Sequence, residues 1–283
     1  MFVIMGAGGK TGGAVARMLL RQGEPVRVVL RPGRAGQEWA DRGAEVAHAD
    51  VRDVVALTKA FTGARAVYAL NPPDYTAEDM LASARHVAQS YHEALGATGA
   101  RAVALSSIGA QHAEGTGNIV TTHILEQALA PLAVSFVRAG NFMTNWLPSL
   151  PDMRSGVLPS FLAPLDRPIP HAAIEDIART VARELKRHDS RTVELGSDCS
   201  PQDVAAAFGA ALGNPVTARI IERPRWHQSL VDSGLPPAGV GTWIELWDGF
   251  NTGHIRFEGT PEPGEVTIEA FAKSNLASPQ AQA

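Results

Sequence analysis

The sequence contains a single cysteine, Cys199, so no internal disulfide can form and a reducing compartment is expected. The thiol is read as structural. No apolar run approaches the length of a transmembrane helix. The N-terminus lacks a basic region, and its apolar run stops after five residues, which argues against a secretory signal. These absences place the protein in the cytoplasm, away from membranes. Basic residues are not in excess either: the net charge is −4, so nucleic acid is not expected as a partner. Lysine is scarce, at Lys10, Lys59, Lys186 and Lys273, and tyrosine occurs only as Tyr68, Tyr75 and Tyr91. What remains is a chain of 283 residues, 45% of them apolar. That suffices for one large soluble domain, or for a domain with an appended lobe.

Glycine is concentrated where it carries information. In VIMGAGGKTGG, residues 3–13, an apolar strand runs into glycines at 6, 8, 9, 12 and 13. Val15, Met18 and Leu19 then recur at helical spacing. A strand, a tight glycine turn and a helix form a phosphate cradle, because backbone N–H groups approach a pyrophosphate and the helix N-terminus offers donors and a favourable dipole. The spacing is G-x-x-G-x-x-G on Gly6, Gly9 and Gly12, not G-x-G-x-x-G, because position 11 is Thr. A Walker A loop needs glycine where Ile4 stands, so a nucleoside triphosphate is excluded. Gly6, Ala7, Gly8, Gly9, Lys10, Thr11 and Gly12 are therefore assigned to a dinucleotide pyrophosphate.

The first half of the chain alternates strand and helix. Strands are predicted at 2–5, 26–30, 45–49, 66–70, 101–105 and 133–137, with helices at 11–20, 34–42, 53–61, 76–95 and 118–130. Asp53 is the expected cap of the third helix. This pattern predicts an α/β fold, a doubly wound parallel (Rossmann) sheet. Its ligand lies at the carboxyl ends of the strands. The second half is richer in proline. Helices are expected at 174–187, 201–212 and within 226–250, and short strands at 191–195 and 218–221. The expected organisation is a dinucleotide-binding domain at 1–145, a smaller substrate-binding lobe at 146–273 interleaved with it, and a flexible tail at 274–283.

The residues after each strand fill in the site. Arg31 follows the second strand, and no acid lies between Val26 and Gln37. An acid there would suit the ribose 2′-OH of NAD, whereas an arginine suits a 2′-phosphate, so NADP(H) is preferred over NAD(H). Asp50 and Val51 are placed for the adenine, and Asn71 and Pro72 for the nicotinamide ribose. Ser106 and Ser107 end the fifth strand, and Ala139, Gly140 and Asn141 follow the sixth.

Taken together, GAGGKTG at 6–12, the basic residue at 31, ADVRD at 49–53, NPP at 71–73, SSIGA at 106–110, HILEQAL at 123–129, FVRAGNFMTNW at 136–146 and IEDIA at 174–178 resemble the NmrA-like family. This is an atypical branch of the short-chain dehydrogenase/reductase superfamily, and the match spans roughly residues 1–215. Ala139 stands where the family usually has Pro or Asn, and Thr144 where it has an acid. The resemblance implies an NADPH-dependent reductase, similar to quinone and dye reductases, acting on a small electrophilic molecule. The alternative it leaves open is a non-catalytic NADP(H)-binding redox sensor, since the family contains both. Mainstream short-chain dehydrogenases donate a proton from a Tyr-x-x-x-Lys pair. Here Pro72, Asp79 and Leu95 stand four residues after the three tyrosines, which argues against an epimerase or dehydratase.

His123 is the candidate proton donor. Val120, Ile124 and Ala128 are expected to form the apolar face of its helix. Either His123 looks into the cofactor cleft with Glu126 holding its ring, or the two are a solvated pair. Tyr75, Phe142 and Trp146 are candidates for an apolar wall against a planar acceptor. His112, His171 and His254 lack metal-ligand spacing, so no metal is expected. No G-x-S-x-G is present, which argues against a hydrolase. A monomer or a homodimer is compatible with the sequence.

Overall fold

A computed structural model describes residues 1–71 and 73–277. The expected contact at Pro72, and residues 278–283 of the expected tail, lie outside them. The first half contains β1 (Phe2–Met5), α1 (Lys10–Arg21), β2 (Val26–Leu30), α2 (Gln37–Asp41), β3 (Glu45–His48), α3 (Val54–Phe61), β4 (Ala66–Ala69), α4 (Met80–Thr98), β5 (Arg101–Ser107), α5 (Val120–Leu129) and β6 (Val134–Ala139). It is followed by β7 (Asn141–Phe142), α6 (Leu150–Arg154), β8 (Val157–Ser160), β9 (Ile169–Ala172), α7 (Ile174–Lys186), β10 (Thr192–Leu195), β11 (Ser197–Cys199), α8 (Pro201–Leu212), β12 (Thr217–Ile220), α9 (Trp226–Asp232), α10 (Pro237–Thr252) and α11 (Ile268–Ala277).

Seven strands form a parallel sheet in the order β10-β6-β5-β4-β1-β2-β3. Phe2 is in register with Val26 on one side and Ala66 on the other. The chain winds outward from β1 to β3, returns to β4 and winds outward again. The switch in strand order therefore falls between β1 and β4. The predicted doubly wound α/β sheet is what forms, and β10 supplies its seventh strand. β1 and β4 are buried along their whole length, as strands covered on both faces must be.

The chain divides into two compact, interleaved units. The first comprises Met1–Ala113, Ile119–Arg138 and Ile177–Val193; the second comprises Glu114–Asn118, Ala139–Asp176 and the chain from Glu194 on. In the first unit Val15, Ala16 and Leu19 form the buried stripe of α1. Asp53 caps α3 by accepting from the Ala56 amide at 3.0 Å, and Asp79 caps α4 by accepting from Ala82 at 2.8 Å. Gly99 closes α4 in the left-handed region, φ +66°. Phe61 and Tyr91 stack in the core with ring centres 6.3 Å apart.

A buried charge network pins the outer strands of this unit. The Glu184 carboxylate on α7 is fully buried and accepts from Arg191 Nη2 at 2.6 Å, Arg191 Nε at 3.0 Å and Arg183 Nε at 3.0 Å. Arg101 donates to the Glu184 carbonyl and to Ser135 Oγ, both at 2.8 Å. Burial pushes the Glu184 carboxyl up, but the hydrogen bonds and charges of Arg191 and then Arg183 outweigh it and hold it below the usual range. A depressed folded pKa gives stability that is present above the unfolded value and is lost as pH falls through the folded one. Wild type is therefore expected to lose more thermal stability than Glu184→Gln between about pH 5 and pH 3. Parallel melting curves for the two proteins over that range would refute this account.

In the second unit β11, β9 and β7 form a three-stranded sheet, and β8 pairs with β12 in parallel. Ser200 and Asp203 make a reciprocal capping box at the start of α8. The expected tail needs correcting: α11 continues to Ala277, so residues 274–277 are helical. Its buried Ile268, Phe271 and Ala272 anchor it, with Phe271 edge-on to Phe208 at 6.3 Å. Cys199 is buried, and desolvation pushes its thiol up to about 12, which suits a structural role. Among the described residues no helix is long and apolar enough to cross a membrane.

Candidate functional site

The glycine turn sits at the switch in strand order, directly after β1. Gly6 adopts φ +66°, and a Cβ there would stand 2.9 Å from Leu70 Cδ2. The Gly9 amide donates back to the Gly6 carbonyl at 2.9 Å, which tightens the turn. Gly12 lies where α1 crosses the end of β1; a Cβ there would be 2.4 Å from the Gly6 carbonyl oxygen and 2.5 Å from that of Met5. Gly9 is the N-cap of α1, with no side chain capping the helix and no acid in its first turn. Gly6, Gly8, Gly9 and Lys10 are exposed, whereas Ala7, Thr11 and Gly12 are buried. The backbone from Gly8 to Lys10 is thus exposed at a helix N-terminus whose first-turn amides have no intrahelical acceptor and no side-chain cap, which fits a pyrophosphate.

The residues after the other strands of this unit fall at the same sheet edge. Arg31 follows β2 and is exposed. Its loop is held by the Arg34 amide donating to the Arg31 carbonyl at 3.1 Å, and by His48 Nε2 donating to the Arg34 carbonyl at 2.9 Å. Asp50 is exposed and Val51 half-buried after β3. Asp50 accepts from the Arg52 amide at 2.9 Å, and Arg52 pairs with Asp74 at 3.4 Å. Asn71 is buried after β4, and its Nδ2 donates to the Ala84 carbonyl at 3.0 Å and the Thr121 carbonyl at 3.4 Å. Its side chain therefore joins β4 to α4 and α5. Tyr75 is half-buried in the following loop.

Helix α5 does not present the faces its sequence predicts. The expected apolar face, Val120, Ile124 and Ala128, is only half-buried; the inward residues are Thr121, Leu125, Glu126 and Leu129. Glu126 does not hold the His123 ring. Its Oε1 accepts from Ser106 Oγ at 2.6 Å and from Arg138 Nε at 2.9 Å, and its Oε2 from Arg138 Nη2 at 2.7 Å. Three helical positions separate the two residues, but a buried guanidinium on β6 claims the carboxylate. His123 is half-buried and donates from Nδ1 to the Ala110 carbonyl at 2.8 Å.

In the second unit Gly140 packs against β9, where a Cβ would stand 2.5 Å from the Pro170 carbonyl oxygen. Ala139 ends β6 and is buried. A fully buried His171 organises the neighbouring side chains. Its Nδ1 donates to the Ile169 carbonyl at 2.9 Å, while Nε2 accepts from Asn141 Nδ2 and Trp146 Nε1, both at 3.0 Å. Desolvation pulls the imidazole down to about 4, so this ring is neutral throughout the physiological range. Asn141 also accepts from Asn145 at 2.8 Å. Trp146 is buried with its indole N–H committed to His171, whereas Phe142 is half-buried. The roles of His171, and of the Ser106–Glu126–Arg138 cluster, were not readable from local spacing. The partners lie up to 30 residues apart and meet only in three dimensions.

The chain matches the NmrA-like family over residues 1–245. An NAD(P)H azoreductase from Xenophilus azovorans is 25% identical over 255 residues, covering 87% of this chain and 86% of the relative. An NADPH-dependent quinone oxidoreductase from Escherichia coli, solved with NADPH, superposes with a TM-score of 0.79 at 23% identity, covering 98% of this chain and 100% of its own. The triphenylmethane reductase of Citrobacter sp., solved with NADP(H), gives 0.80 at 17% identity, covering 98% and 100%. These two structures share the fold. With the family match spanning both the glycine turn and the segment around Asn141, this protein belongs to the NmrA-like family.

Proposed function

We propose that this protein is an NAD(P)H-dependent oxidoreductase, with NADPH preferred, that reduces a small conjugated electrophile such as a quinone. The observation that carries the reading is the bare glycine turn at the switch point, with an exposed Arg31 and no competing acid at the end of β2. The uncapped first-turn amides of α1, with Lys10, hold the pyrophosphate against the exposed Gly8 and Gly9 backbone. Arg31 and its His48-anchored loop receive the 2′-phosphate. Asp50 and Val51 are offered to the adenine. A bound reduced nicotinamide supplies the hydride.

The remaining residues favour an acceptor that needs little acid assistance. Tyr68 and Tyr91 are fully buried, and burial pushes both phenols above the ordinary tyrosine range. Neither serves as a proton donor. Solvent or His123 delivers the proton that completes the reduction. A quinone accepts hydride at an already electrophilic centre, and the protein's work is then positioning. Phe142 and Tyr75 are the candidates for contacting the acceptor. Trp146, with its N–H engaged by His171, contributes a fixed ring rather than a hydrogen bond. Azoreductase and dye-reductase relatives support the same acceptor class.

The sealed tyrosines also favour a second reading, a non-catalytic NADP(H) sensor. Incubation with NADPH and a panel of quinones and azo dyes separates the two. Oxidation of NADPH by at least one acceptor is expected, and tight NADPH binding with no turnover on any of them selects the sensor.

Cofactor preference has its own test. Loss of a charge-assisted contact to the 2′-phosphate should weaken NADPH binding to Arg31→Ala by about tenfold to a hundredfold. NADH binding should change by less than about threefold, measured by nicotinamide fluorescence titration. Equal losses for the two cofactors would remove Arg31 from this role.

A further inference from the structure

At the opposite end of α1 from the glycine turn, Arg17, Leu20 and Arg21 line a cavity of about 250 Å³ together with Arg42, the residue that closes α2. A helix rises about 1.5 Å per residue, so Arg21 stands about 16 Å along the axis from Lys10. Three of its four lining residues are arginines. Among the described residues the one carboxylate bonded to any of them is Glu38, 3.2 Å from Arg42 and exposed. Arg17 and Arg21 have no carboxylate partner among the described residues.

Arg17 is held by packing instead. Its guanidinium lies over the ring of Trp39, 5.8 Å from the centroid, and Trp39 is itself buried. The guanidinium folds back over Gly13, where a Cβ would stand 3.2 Å from Arg17 Nη1 and 2.9 Å from the Ala7 carbonyl oxygen. The C-terminal dipole of α1 accounts for a basic residue at 21, in the last turn. It does not account for Arg17 a turn earlier, nor for Arg42 arriving from another helix. Arg17 and Arg21 are i,i+4 neighbours of like charge, a mildly unfavourable arrangement that a bound anion would relieve.

We infer that this cavity is a binding site for a doubly charged phosphoryl group. Forked guanidiniums match phosphate oxygens in pairs, and a preorganised, stacked arginine loses little entropy on binding. The volume falls below the roughly 300 Å³ at which drug-sized sites begin, so it fits a phosphate or diphosphate and leaves no room for a nucleoside. The group arrives either as free inorganic phosphate or pyrophosphate, or as the terminus of a nucleotide whose base stays outside.

Isothermal titration of pyrophosphate, phosphate and ATP into the wild type and into R17Q/R42Q tests the site, because the difference between the two proteins cancels any anion bound at the glycine turn. Pyrophosphate affinity at the lost site is expected to fall at least about tenfold, which is about 1.4 kcal/mol. The difference should persist with NADPH present. R17K, which keeps the charge but not the fork, should fall less. Comparable binding of ATP would identify a nucleotide terminus as the ligand, and binding of the inorganic anions alone would identify the free ions. Identical isotherms for wild type and R17Q/R42Q with all three anions, or no heat with any of them, would overturn the inference. Should the double variant melt early, R21Q on the exposed last turn of α1 repeats the comparison.

Discussion

Glu126→Ala is expected to destabilise the protein by about 3–5 kcal/mol. Glu126 and Arg138 are both buried, with their side chains 8% and 9% exposed, so water does little to compensate either charge. The carboxylate accepts three hydrogen bonds, from Ser106 on β5 and twice from Arg138 on β6. Removing it leaves a guanidinium with its charge buried and a serine hydroxyl without its acceptor, which is the expensive way to break such a pair. Denaturant titration should show the midpoint falling with little change in slope. Glu126→Gln keeps the volume and one acceptor but still leaves the net charge, so its loss should be smaller. The decisive comparison is the double replacement Glu126→Leu with Arg138→Met. Taking both charges away together should recover much of the stability, because the penalty lies in a buried guanidinium that has lost its bonds to Glu126. A Glu126→Ala loss below about 1 kcal/mol would mean that solvent reaches Arg138 after all.

This pair also shows where reading the sequence stops. β1 and β2 are found at the residues expected, and α8 spans its predicted range. Those elements are apolar runs or capped helices set off by glycine and proline, and local pattern is enough to specify them. α5 forms where its sequence predicts but turns a different face inward. Its apolar residues at 120, 124 and 128 suggest the inward face, yet the helix buries Thr121 and Glu126 because they have partners just after β4 and on β5 and β6. A polar residue with a buried partner looks the same in sequence as one facing water. The same limit hid β7, β9 and β11, which are two to four residues long and too short to show a period. It hid the role of His171 as well, whose partners Asn141 and Trp146 sit 30 and 25 residues away.

The structure also narrows how the proposed site residues can act. Asn71 and Ser106 have their side chains committed within the protein, to backbone carbonyls of α4 and α5 and to Glu126 respectively. What these two offer a cofactor is mainly the backbone and the shape of the strand ends. Arg31, Lys10 and Asp50 keep exposed side chains at the same edge. The division is physically reasonable: buried polar groups must be paired inside the protein, whereas exposed ones can exchange water for a ligand. Sequence position alone assigned all five to the cofactor without separating these two kinds of contribution.

Gly12→Ala should reduce NADPH affinity by at least about a hundredfold and destabilise the fold by about 1–3 kcal/mol. The added carbon would stand 2.4 Å from one backbone oxygen and 2.5 Å from another, so α1 must lift away from the end of β1. Lifting the helix moves its N-terminal amides off the pyrophosphate, which couples the two losses. Gly8→Ala separates them. A carbon at Gly8 meets only Leu30 Cδ2, at 3.9 Å, so the folded protein accommodates it. Its stability should stay within about 0.5 kcal/mol of wild type. That carbon nevertheless covers the exposed backbone where the diphosphate would rest, and NADPH binding should fall at least about tenfold. Calorimetric titration with NADPH, paired with thermal melts of each apoprotein, reads both quantities. Gly12→Ala protein that binds NADPH like the wild type would show that the glycine turn packs α1 against the sheet and holds no nucleotide. Gly8→Ala with unchanged binding would place the diphosphate elsewhere along the edge.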